Sequence, residues 1–118
     1  MLTPERSYNP FLTNFAGVDD IVSNYEGRSA EDLKDAEILV AWYGYGSYCG
    51  SSFVLYRKDS KLYEVNGSHC SCYGLEGQWE PEETSWAALA MREFYQSEGE
   101  GSGEMKELVQ KLIKENAV

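Results

Sequence analysis

Apolar positions recur with helical spacing at both ends of the chain and with strand spacing in its middle. Val18, Ile21, Val22 and Tyr25 fall at i, i+3, i+4 and i+7, which predicts a short amphipathic helix. Asp19 and Asp20 sit in its first turn, where the helix dipole favours negative charge, and Gly27 supplies a stop. Residues 28–36 are polar and read as a loop or a weak helical turn. The segment 37–43, EILVAWY, is β-branched and aromatic with little alternation, which predicts a strand apolar on both faces. Residues 52–57 and 61–66 alternate as two strands around the polar connection 58–60, a hairpin.

Helical spacing returns in SWAALAMREFYQ, where Trp86, Leu89, Ala90 and Phe94 make one face and Thr84 is the expected N-cap. Met105, Leu108, Val109, Leu112 and Ile113 make another, opposite Lys106, Glu107, Lys111, Lys114 and Glu115. The expected fold is α+β: an antiparallel sheet of three to four strands, with helices over 84–96 and 104–116 packed on one face. The 118 residues fit a single domain. Residues 1–16, with Pro4 and Pro10, read as an irregular arm held by Phe11, Leu12 and Phe15, and 97–103 as a flexible acidic linker.

Charge narrows the function classes. A net charge of −10 argues against a protein held to nucleic acid by phosphate contacts or docked on an anionic membrane. It suits solubility, or steering toward a basic surface. No apolar run approaches the roughly 20 residues needed to cross a bilayer. The chain opens without a basic segment followed by an apolar one, and three cysteines fit poorly with a closed disulfide framework. A cytoplasmic setting with reduced thiols is therefore expected.

Three constellations bear on chemistry. Cys49, His69, Cys70 and Cys72 have the right number and type for zinc, but C-x-C is not the C-x₂₋₄-C spacing of structural sites. On a strand, His69 would point away from Cys70 and Cys72. A cysteine nucleophile would need His69 to meet Cys49 across the fold, and the acidic surroundings would raise a thiol pKa. The string GYGSYCG at 44–50 lacks the Gly-Lys-Ser/Thr ending of a phosphate loop and reads as a hairpin connection. The third constellation is acidic and aromatic. Glu76, Glu80, Glu82, Glu83, Glu93, Glu98 and Glu100 face a single base, Arg92, with Trp79 among them. Such a segment, with Trp79 as an exposed anchor, fits recognition of a basic partner; the structural alternative folds Trp79 into the core.

The segment LYEVNGSHCSCYGLEGQWEPEET, residues 62–84, resembles a sequence shared by small tailed-phage and prophage proteins to which no catalytic residues are assigned. The resemblance extends over about residues 37 to 90 and carries no site residue across. It implies a setting, the host cytoplasm, and a mode of action. Small acidic phage proteins often bind a host or defence component, as anti-CRISPR and anti-restriction proteins do, some by imitating the charge of DNA. The expected function is thus a non-enzymatic inhibitor of a host nucleic-acid-handling or defence complex. Glu76, Trp79, Glu80, Glu82, Glu83, Glu98 and Glu100 would meet the partner, and no cofactor is required. The alternatives are a zinc- or thiol-dependent protein using the Cys/His cluster, and a structural phage protein.

Overall fold

The computed structural model describes residues 11–13, 15, 17–25, 28–44, 49–70, 74, 75, 78–91 and 102–116. Five strands form one sheet in chain order: β1 (Phe11–Thr13), β2 (Glu37–Tyr43), β3 (Cys49–Lys58), β4 (Lys61–Cys70) and β5 (Glu82–Thr84). The four strands β2 to β5 are antiparallel, and β1 lies parallel to β2. The α+β fold class read from the sequence is correct.

β1 is a correction. Phe11–Thr13 was expected in an irregular arm, yet it pairs with Ala41–Tyr43. Three residues are too few to show a period, and a parallel partner is chosen by a crossover connection rather than a tight turn. That crossover holds α1 (Val18–Tyr25), as predicted, and α2 (Arg28–Leu33), where a loop or a weak helical turn was expected. After α2, Asp35 takes the left-handed conformation (φ 63°) that Asp tolerates better than most residues.

The lack of alternation in β2 has a local cause. Ile38 pairs with Tyr56 and Val40 with Leu55, so Leu39 is the extra residue of a β-bulge. Leu39 and Val40 consequently share one face, and alternation resumes with Ala41 and Trp42. The β3–β4 hairpin closes at Asp59 and Ser60 alone. Both have positive φ (54° and 66°), the signature of a type I′ turn, and Lys58 pairs with Lys61.

The sheet is covered on both faces. On one, α3 (Trp86–Ala90) and α4 (Ser102–Asn116) bring Leu89, Met105, Val109 and Leu112 onto Val40, Trp42, Phe53 and Leu55. This is the expected pair of helices on one face. On the other, Ile21, Tyr25 and Leu33 from the crossover, with Phe15, Leu75 and Trp79, bury Ile38, Ala41, Val54, Tyr56 and Val65. α3 is shorter than expected at its start: Thr84 belongs to β5, and Ser85 is the N-cap, its Oγ accepting from the Ala88 amide at 3.1 Å. Ala90 is exposed, and Phe94 lies outside the described residues. Ser102 and Gly103, assigned to the linker, open α4. Among the described residues no helix is long and apolar enough to cross a membrane.

Candidate functional site

The β3–β4 pairing decides the fate of the Cys/His cluster. Cys49 lies opposite Cys70, and Gly50 opposite His69, at the hairpin's open end. Alternation then places both cysteines on the α4 face and His69 on the α1 face. Cys49 and Cys70 are joined as a disulfide. The expectation of reduced thiols is corrected for this pair: adjacency in the ladder brings together two cysteines 21 residues apart, a contact that no local spacing announces.

His69 is buried, with Nε2–H donating to the Gly44 carbonyl at 2.5 Å and its ring stacked on Tyr43, centroids 4.3 Å apart. Cys49, His69 and Cys70 are thus not arranged as one coordination shell, and Cys72 lies outside the described residues. Among the described residues no three His, Cys, Asp or Glu side chains cluster as metal ligands. Nor do Cys49 and His69 form a nucleophile–base pair, since they project from opposite faces. Gly44 N–H donates to the Ser51 carbonyl at 2.8 Å, so 44–50 spans a hairpin connection as expected; residues 45–48 lie outside the described residues.

The acidic segment is placed differently from its expected form. Trp79 is a core residue, 4% exposed. Its indole N–H donates to Asp32 Oδ2 at 2.6 Å; the ring meets Tyr25 edge-on at 5.1 Å and lies parallel to Tyr56 at 6.0 Å. The reading of Trp79 as an exposed anchor is corrected. A large ring beside an apolar sheet face gains more from burial than from solvent, once its one donor has an acceptor. Next to it, the Gln78 side chain acts as a short surrogate strand. Its Oε1 accepts from Ser68 N–H at 2.9 Å, and its Nε2 donates to the carbonyls of Ser68 and Gly74, both at 2.7 Å. The amide thereby satisfies the edge of β4 beyond the reach of β5.

With 78 and 79 anchored, Glu80, Glu82 and Glu83 are exposed on and beside the edge strand β5. Glu83 stands opposite Tyr63, with its carboxylate 4.0 Å from Lys61 Nζ, an exposed pair of little energetic weight. Glu82 stands opposite Glu64. Glu76, Glu98 and Glu100 lie outside the described residues. Sequence reasoning passed over Glu64, a carboxylate only 3% exposed that accepts from Asn66 Nδ2 at 2.8 Å. The signal available was its position between Leu62 and Asn66 on the face that α4 covers.

Tyr25 ties the crossover to the sheet, its hydroxyl donating to Ser52 Oγ at 2.8 Å. Burial pushes the phenol up to about 12; the Ser52 hydroxyl opposes this in part, and Tyr43 adds to it. The Tyr56 phenol is raised as well, first by burial and then by Asp32 and Tyr63. A phenol whose folded pKa exceeds its unfolded value, about 10, contributes stability that is complete below pH 10 and lost above it. The fold is therefore expected to lose about 3 kcal/mol through Tyr25 as pH rises from about 10 to about 12. Denaturant midpoints across that range check this. Tyr25→Phe should flatten the alkaline limb.

Comparison of the chain with protein-family models, with curated sequences and with solved structures finds no match to any of the three.

Proposed function

We propose that this chain is a non-enzymatic binding protein of phage origin that acts in the host cytoplasm. Its acidic edge would engage a basic surface of a nucleic-acid-handling or defence complex, in a nucleic-acid-mimicking mode. The observation that carries this reading is the exposure of Glu80, Glu82 and Glu83 on and beside the edge strand β5. Trp79 anchors the segment in the core and Gln78 braces it on the edge of β4, so Glu80 follows an anchored pair and Glu82 and Glu83 lie in an edge strand. Pre-ordered charge costs less to engage than charge on a chain that must first be ordered. The net charge of −10 adds a long-range field of the same sign. The resemblance of residues 62–84 to tailed-phage proteins supplies the setting.

The test is affinity for the partner recovered from host lysate, measured against salt. Binding is expected to weaken steeply with added salt. Replacing Glu80, Glu82 and Glu83 together with lysine should lower affinity on the order of 100-fold. The folded state should change by no more than about 0.5 kcal/mol per exposed substitution. Salt-independent binding, or a triple variant that binds like the parent, would sink the acidic-edge reading.

A further inference from the structure

The open end of the β3–β4 hairpin is built unlike the rest of the sheet. Gly50, Ser51 and Ser52 face His69, Ser68 and Gly67 in register, so apart from His69 no side chain larger than serine holds the two strands together there. The apolar core of both faces begins only at Phe53 and ends at Val65. Glycine and serine are weak strand formers, and on the α4 face this stretch carries only Ser51 and Ser68, while on the other Ser52 and His69 lie against Tyr25 and Tyr43; its opening should cost less than that of the two-sided core beyond it. Among the described residues, several ties act at this end. The disulfide joins Cys49 to Cys70 on one face; on the other His69 Nε2–H donates to Gly44 O and the Tyr25 hydroxyl to Ser52 Oγ; at the edge Gln78 braces Ser68. Only the first is covalent, and Cys49 is exposed at the surface.

We propose that the Cys49–Cys70 bond is a redox-addressed clip. Oxidised, it holds the hairpin mouth and keeps His69 seated against Gly44; reduced, it lets that end of the sheet open while both cores stay folded. The co-reactant is a dithiol. One thiolate of the dithiol attacks Sγ of Cys49, the more exposed of the two residues, the bond to Cys70 Sγ breaks, and Cys70 leaves as a thiolate that takes up a proton. The second thiol of the reductant then attacks the mixed disulfide, closes its own disulfide and releases Cys49, which is protonated in turn. The protein gains two electrons and two protons, and the dithiol loses them. Nothing in this proposal depends on what the acidic edge binds.

The test is hydrogen exchange of the full chain, oxidised and then treated with dithiothreitol at the same pH, with Cys72→Ser present so that one pair of cysteines remains. Peptide mapping of the oxidised protein is expected to return the Cys49–Cys70 link. On reduction, amides of residues 50–52 and 67–69 should exchange faster, on the order of tenfold or more. Amides of 54–56 and 62–65 should keep their protection, and reoxidation should restore the original pattern. A Cys49→Ser, Cys70→Ser double variant should match the reduced protein. Unchanged exchange at 50–52 and 67–69 after full reduction overturns the clip. So does loss of protection throughout the sheet, which would make the bond a global staple, and so does peptide mapping of the parent chain, with Cys72 present, that returns a link to Cys72.

Discussion

Replacing Trp79 with alanine is expected to destabilise the fold by about 3–5 kcal/mol, the range for removing a large buried aromatic. The side chain is 4% exposed and meets Tyr25 and Tyr56 by ring contacts. Truncation would remove both contacts and leave a cavity between the crossover helices and the sheet. It would also leave Asp32 without the indole donor now 2.6 Å away. Because domains of this size are stable by only about 5–15 kcal/mol, Trp79→Phe is the companion variant. It keeps most of the ring and removes the N–H, and should cost about 1–2 kcal/mol. Urea midpoints at constant slope report both values. If Trp79→Ala were as stable as the parent yet lost partner binding, Trp79 would be a surface anchor after all.

Gly50→Ala is expected to cost about 3 kcal/mol, the upper part of the range for overpacking. A Cβ at Gly50 would fall on the Gly44 carbonyl oxygen and come within 2.9 Å of its carbon and 2.8 Å of His69 Nε2. Two of these three atoms are backbone, so relief requires moving a strand end instead of turning a side chain. The reason for glycine here is close approach. The same change at Gly103, in the first turn of α4 with nothing within 4 Å, is the control; it should be neutral or stabilise by up to about 1 kcal/mol. Thermal or chemical unfolding measures both variants. In Gly50→Ala the His69 ring resonances should shift as its bond to Gly44 lengthens. A Gly50→Ala protein as stable as the parent would mean that the hairpin mouth is looser than this packing.

The strands and helices with a clear period were legible because period is a local property. Val18–Tyr25 and the Met105–Ile113 face each carry their apolar stripe within three turns, and both helices form, with Val18 alone of the α1 stripe left exposed. The hairpin was legible because its alternation and its turn lie within a few residues of each other. The short elements were not. β1 and β5 have three residues each, and their strand character comes entirely from the partner they lie against. Of the candidate site, the exposure of Glu80, Glu82 and Glu83 followed from charge alone. The neighbouring Trp79 did not: one tryptophan in a polar stretch has two stable placements, and only an acceptor and ring partners at the right distances choose between them.

By itself, then, the order of residues determined the α+β class, the central hairpin, the two-helix cover on one face and the strongly negative charge. Each follows from composition or from the repeat of apolar positions over a short span. Tertiary structure alone decided that Cys49 meets Cys70, that His69 closes on Gly44, that Gln78 caps β4 and that Trp79 lies beneath the acidic edge. Each of these joins residues 10 to 47 positions apart. The energy of such contacts depends on the register of the strands between them, and a one-residue slip would exchange every face.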